Sequence, residues 1–182
     1  MIIIGIASSP RGEASNSTIA LKTALDAAEA KGAEVEIFNI AEMEISDCHG
    51  DNYCKAHGDE CAIKDGMDPI YEAIKECDAL VLASPIYFFD LTARTRAFID
   101  RLYAFYMTPF TENYGARKFS LITTQGMPDE SAFKAAMDLA AQAFATIGFE
   151  VVDVEAFGDG NQPNSLTDEQ VEKAKKIGEN LL

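Results

Sequence analysis

Basic residues are scarce in this chain: 15 lysines and arginines stand against 30 aspartates and glutamates, giving a formal charge of −15 over 182 residues. That balance excludes nucleic acid and anionic membrane surfaces as partners, because both would repel it. Long apolar runs are lacking as well. The opening Met1-Ile2-Ile3-Ile4-Gly5-Ile6 carries no basic segment and reaches Ser8-Ser9-Pro10-Arg11 too soon for a secretory signal or a membrane span. A cytoplasmic protein is expected. Four cysteines are too few for a disulfide framework at this length and point to thiols or metal ligands. Internal repeats, low-complexity tracts and Pro/Gly/Ser linkers are missing, so residues 1–182 are expected to form a single domain. What is there, at 48% hydrophobic and 25% charged, is the composition of a globule with a real core.

Short apolar runs alternate with helical periods. Ile2–Ala7, Val35–Ile40, Ala79–Ala83, Phe119–Thr124 and Val151–Phe157 read as strands, several of them apolar enough to be buried on both faces. Thr18–Lys31, Asp68–Glu76, Thr92–Tyr106, Glu130–Ile147 and Thr167–Leu182 read as helices, the last opening on the capping box Thr167-Asp168-Glu169-Gln170. The alternation predicts an α/β fold with a doubly wound, five-stranded parallel sheet in the order 2-1-3-4-5. In such sheets ligands bind beyond the carboxyl ends of the strands, where strand order reverses.

Three loops converge there. The first, Ser8 to Thr18, places hydroxyls, an amide and Arg11 before a helix N-terminus, where free N–H groups and the helix dipole favour an anion. No Gly-Lys-Ser/Thr follows, so it is not a triphosphate loop, and the isolated Gly5 and Gly12 do not make a dinucleotide fingerprint. A terminal monophosphate fits better. The second, Ser84-Pro85-Ile86-Tyr87-Phe88-Phe89-Asp90, brings apolar and aromatic side chains to the mouth of the sheet, where a planar ring or a partner chain would cover them. The third offers Thr124, Gln125 and the backbone around Gly126 as polar handles for a ring edge. Phosphate end, apolar wall and polar rim describe a flavin mononucleotide (FMN) site.

The motifs Gly5-x-x-Ser8-Ser9-Pro10-Arg11…Ser15-Asn16-Ser17, Ser84-Pro85-Ile86-Tyr87-Phe88 and Ala97-Phe98-Ile99-Asp100-Arg101 resemble the flavodoxin-like NAD(P)H-dependent FMN reductase family, and in particular its iron-sulfur flavoprotein branch. The resemblance implies that Ser9, Arg11, Asn16, Ser17 and Thr18 hold the FMN phosphate, and that Pro85, Ile86, Tyr87, Phe88 and Phe89 line the ribityl chain and ring. Thr124, Gln125 and Gly126 complete the set. It also implies electron transfer on the flavin itself with no catalytic side chain. Electrons would come from NAD(P)H or a reduced ferredoxin-like carrier and pass to a small acceptor such as a quinone or flavin. A homodimer or tetramer is implied too, with the aromatic-rich Tyr103–Tyr114 segment at an interface or over the flavin.

Cys48, Cys54 and Cys61 and both histidines, His49 and His57, bunch within 14 positions. The iron-sulfur branch carries four cysteines for a [4Fe–4S] cluster, and this chain matches at Cys48, Cys54 and Cys61 but has Asp51 at the second position. A carboxylate is a harder ligand than a thiolate and rarely completes such a cluster. Cys77 directly precedes the third strand and reads as a small buried hydrophobe. Three readings stay open for the bunch: a [4Fe–4S] cluster, which the spacing does not favour; zinc on three cysteines and one histidine; or thiols that hold no metal. Two rival functions also stand beside the oxidoreductase: a flavin electron carrier without a small substrate, and a phosphate-ligand binding domain that has lost FMN.

Overall fold

In chain order the computed structural model, which describes residues 1–182, contains β1 (Ile2–Ala7), α1 (Asn16–Glu29), β2 (Glu34–Asn39), α2 (Tyr53–Ala56), α3 (Met67–Glu76), β3 (Ala79–Tyr87), β4 (Asp90–Leu91), α4 (Ala93–Arg101), α5 (Phe110–Tyr114), β5 (Arg117–Thr124), α6 (Lys134–Thr146), β6 (Phe149–Phe157) and α7 (Asp168–Asn180). Five strands run parallel in the order β2-β1-β3-β5-β6. The two-residue β4 folds back antiparallel on the end of β3, pairing Ile86 with Leu91 and Tyr87 with Asp90. With β4 set aside, this is the expected 2-1-3-4-5 order. No helix is long and apolar enough to cross a membrane.

Strand alternation sorts side chains to two cores. Ile4, Ile6, Leu80 and Leu82 face α3, α4 and α6, where Phe119 and Phe144 stack at 3.8 Å. Ile3, Ala7, Val81 and Ala83 face α1 and α7. Each buried large apolar side chain contributes roughly 1.5–3 kcal/mol, which makes these two layers the main source of stability. The edge strand β2 exposes Glu34 and Glu36, charges that discourage pairing with another sheet.

The α1/α7 face is built from small residues, Ala20, Ala24, Ala28 and Ala174, which lets the helices come close. A Cβ on Gly178 would lie 1.8 Å from the Ala24 carbonyl oxygen, so only glycine permits this approach. Gly178→Ala should therefore destabilise by about 1–3 kcal/mol despite the better helix propensity of alanine. Urea denaturation reads this directly, and unchanged or increased stability would show that the two helices can separate without cost.

Several boundaries differ from expectation. The helix expected over Thr92–Tyr106 stops at Arg101 and tightens into a 3-10 turn over Leu102–Phe105. The carbonyls freed there do not go unpaired, because Lys55 Nζ donates to the Tyr103 oxygen at 2.6 Å and also to that of Tyr106. The helix expected from Glu130 starts at Lys134, since the Asp129 carboxylate instead turns the chain by accepting from the Ser131 N–H at 2.9 Å. Only part of the aromatic segment Tyr103–Tyr114 is left for an interface. Phe105 and Phe110 are buried and pack at 4.4 Å, with Phe110 reaching Phe149. Tyr103, Tyr106 and Met107 remain exposed.

Candidate functional site

A cleft of about 140 Å³ lies beyond the carboxyl ends of β1, β3, β5 and β6. It is lined by Ser9, Arg11, Ser15, Asn16, Pro85, Ile86, Tyr87, Thr124, Gln125, Gly126, Gly160 and Asn161. Nine of the thirteen residues expected at the site are thus brought to one place. Ser17 and Thr18 are buried behind it, and Phe88 and Phe89 stand outside it. Ser15, Gly160 and Asn161 also belong to the lining, beyond the expected set. The turn-forming run Gly158-Asp159-Gly160-Asn161 after the last strand was the available signal.

The only charged residue in this lining is Arg11, in a chain of net charge −15. Arg11 is exposed, and the N–H groups of Asn16, Ser17 and Thr18 at the start of α1 find no acceptor in the backbone. Together they make an electropositive end suited to an anion. Ser9 Oγ accepts from the Arg11 N–H at 3.3 Å and shapes the turn. Asn16 works differently from the expectation. Its Nδ2 donates to the Gln162 oxygen at 2.9 Å and to Ser165 Oγ at 3.0 Å, while its Oδ1 accepts from the Ser165 N–H at 2.9 Å. The side chain fastens the loop before α7 to the start of α1, and only the Asn16 backbone is left to face a ligand.

A buried set of hydroxyls supports the first two loops from behind. Thr95 Oγ1 lies 2.7 Å from Ser8 Oγ and 3.0 Å from Ser84 Oγ, and Ser8 Oγ donates to the Ala83 oxygen at 3.0 Å. Thr92 caps α4 by accepting from the Thr95 N–H at 3.2 Å. These four residues join β1, β3 and α4 into one rigid floor.

At the opposite end of the cleft, Gln125 is 3% exposed, and its Nε2 donates to the Asp129 oxygen at 2.6 Å. Its Oε1 is buried with no donor at all. An orphaned buried acceptor carries a desolvation cost of about 1–3 kcal/mol, which a ligand N–H or O–H would relieve. Beside it, a Cβ on Gly126 would lie 2.2 Å from Asn161 Oδ1, so the Asn161 side chain packs directly over the Gly126 backbone.

The aromatic hairpin continues from the Pro85–Tyr87 wall of the cleft. Phe88 and Phe89 are its two central residues, with φ of 47° and 76°, the turn geometry that normally calls for Asn-Gly. Phe88 is 95% exposed and Phe89 72%. Asp90 steadies the base of the hairpin: its Oδ1 accepts from the Leu91 N–H at 2.7 Å and from Arg96 Nε at 3.1 Å. Burial pushes the Asp90 carboxyl up, but the Arg96 and Leu91 hydrogen bonds outweigh it and hold it below its ordinary value.

Cys48, Cys54 and Cys61 border one small cavity, and Cys77 does not. Cys48 is exposed, Cys54 is buried in the larger core, and Cys61 packs partly buried against that core. Cys77 is 2% exposed, and burial pushes its thiol up to about 11, as expected of a small core residue. His57 stacks on Tyr53 with ring centroids 3.8 Å apart. No three His, Cys, Asp or Glu side chains stand close enough together to hold a metal ion.

Comparison with known proteins gives the family. The NADPH-dependent FMN reductase family matches residues 1–153. An iron-sulfur flavoprotein of Archaeoglobus fulgidus is 32% identical over 181 residues, covering 100% of this chain and 79% of that protein. An iron-sulfur flavoprotein of Methanocaldococcus jannaschii is 40% identical over 101 residues, 56% of this chain, and the match spans only about half, 51%, of that relative. Among solved structures, a flavone reductase superposes with a TM-score of 0.75 at 22% identity over 100% of this chain and 62% of its own, a likeness of fold alone. The chain belongs to the NADPH-dependent FMN reductase family, in the branch of the iron-sulfur flavoproteins.

Proposed function

We propose that the protein is an FMN-dependent oxidoreductase that takes electrons from NAD(P)H or a reduced ferredoxin-like carrier and delivers them to a small acceptor such as a quinone or flavin. The observation that carries this reading is the cleft, which joins the Arg11 end, the apolar Pro85–Tyr87 wall and the orphaned Gln125 oxygen. Its volume of about 140 Å³ is below the roughly 300–1,000 Å³ of an ordinary ligand pocket. The cleft would hold only the phosphate and ribityl end of FMN, leaving the ring to Tyr87, Phe88 and Phe89. Bound FMN supplies the hydride and electron chemistry. The chain's own contribution is to bind the phosphate through Arg11 and the α1 N–H groups. Gln125 Oε1 takes a ligand N–H or O–H, and the hydroxyl floor under Ser8 and Ser84 fixes the loops. The reading includes no iron-sulfur cluster, because the cysteine loop does not offer four thiolates.

Purified protein should be yellow or become so on FMN addition, and anaerobic mixing with NADPH or NADH should bleach the flavin's visible absorption band within seconds. Protein that stays colourless in excess FMN would remove the flavin reading altogether. Bound flavin that neither nicotinamide bleaches would instead mark an electron carrier.

A further inference from the structure

The resemblance to the iron-sulfur branch assigns its cluster-binding set to four positions in residues 48–61, and in this fold three of them have another use. Cys48 is at the surface. Asp51 Oδ1 accepts from the Tyr53 N–H at 2.9 Å and so starts α2. Cys54, 8% exposed, belongs to the larger core, and Cys61 packs against the same core. These residues border one cavity of about 20 Å³.

The loop is also tied down by side chains that need no metal. Arg101, 1% exposed, donates to the Ser46 oxygen at 3.0 Å, the Ile63 oxygen at 3.3 Å and Asp65 Oδ2 at 2.7 Å, clasping both ends of the loop. Lys55 clasps its middle, with Nζ 4.2 Å from the centre of the Tyr103 ring and bonded to two carbonyls. Cys48, Asp51, Cys54 and Cys61 all line that one cavity and would share any metal held there. Only three thiolates and one hard carboxylate would then be on offer.

We infer that residues 46–65 form a self-supporting, metal-free loop, and that Asp51 is the position separating this chain from its cluster-binding counterparts. The inference concerns the cysteine loop alone and does not depend on whether the cleft binds FMN.

The test is anaerobic reconstitution of the full chain with ferrous iron, sulfide and thiol reductant, followed by desalting and assay of iron, acid-labile sulfide and zinc. Wild type should retain well under one iron or zinc per chain, whereas Asp51→Cys should gain about four iron and four sulfide. About four iron, or one zinc, in wild type overturns the inference. An Asp51→Cys protein that folds but stays iron-free overturns the role given to position 51. Should that variant not fold, hydrogen exchange on wild type decides: amides of 53–57 protected without metal support a self-supporting loop, and free exchange there refutes it. Flavin content, read separately from its visible absorbance, keeps a failure of the flavin reading distinct from a failure of this one.

Discussion

Arg101→Met should cost about 3–5 kcal/mol of folding stability, because it strands a carboxylate that the fold has largely withdrawn from water. The guanidinium is 1% exposed, and the Asp65 side chain it meets at 2.7 Å is 10% exposed. Asp65 also accepts from the Ser46 N–H at 2.8 Å and the Met67 N–H at 2.9 Å, so the pair joins the cysteine loop to the start of α3. Burial alone would raise the Asp65 carboxyl, but the Arg101 hydrogen bond, the two backbone N–H groups and the guanidinium charge together leave it below its ordinary value. A depressed carboxylate stabilises above its unfolded pKa, about 3.9, and that stabilisation is lost as pH falls through the lower folded value. Urea midpoints taken from neutral pH down into the acid range should therefore show wild type losing stability steeply at the acid end. Arg101→Met should start much lower and lose less there, since its unpaired Asp65 gains by protonation. Arg101→Met/Asp65→Leu should recover part of the loss, because an apolar pair removes the stranded charge. A single substitution costing under about 1 kcal/mol would mean that water reaches Asp65 and the clasp is ornamental.

Much of this fold can be read locally. β1, β3 and β5 announce themselves as apolar runs because a central parallel strand is buried on both faces, and α7 is bounded by a capping box that forms as written, Thr167 Oγ1 accepting from the Gln170 N–H at 3.2 Å. The elements that escaped are those fixed from far away. The end of α4 is set by Lys55, 48 positions before Tyr103, and no helical pattern carries that information. β4 escaped for a related reason: Tyr87-Phe88-Phe89-Asp90 contains none of the residues that announce a two-residue hairpin.

The site divides the same way. Arg11, Gln125 and the Pro85–Tyr87 wall are legible because strand-end loops in this topology have only one place to go. Asn16 looks like a phosphate ligand by its position at a helix start, yet its amide is committed to Gln162 and Ser165, 146 and 149 positions away. Gly160 reaches the cleft because its N–H donates to the Gln125 oxygen at 2.8 Å, a bond between two separate strand ends. The cysteine spacing carries its information chiefly in the exception at Asp51, while the packing of Cys54 and Cys61 on the larger core is fixed by contacts that spacing does not encode.

Phe88→Asn/Phe89→Gly should make the protein more stable and a poorer flavin binder at once. Both residues sit at positive φ, 47° and 76°, where a non-glycine side chain costs about 1–2 kcal/mol each. Asn-Gly adopts this turn readily, so the relief is about 2–4 kcal/mol. Against it stands little burial to give up, since Phe88 is 95% exposed and Phe89 only leans on Phe133 at 5.7 Å. A net gain of about 1–2 kcal/mol is expected, read as a higher urea midpoint with an unchanged slope. FMN should then bind roughly thirtyfold more weakly, because stacking of the two aromatics on the flavin ring, worth about 1–3 kcal/mol, is removed with them. Calorimetric titration of flavin-free protein checks the affinity. The opposed signs separate a functional hairpin from a merely structural one: padding would lose stability when truncated, and an idle surface turn would gain stability with no change in flavin affinity. On the proposed flavin reading, two strained, solvent-facing phenylalanines beside a polar cleft are placed to cover a bound ring rather than to support the folded chain.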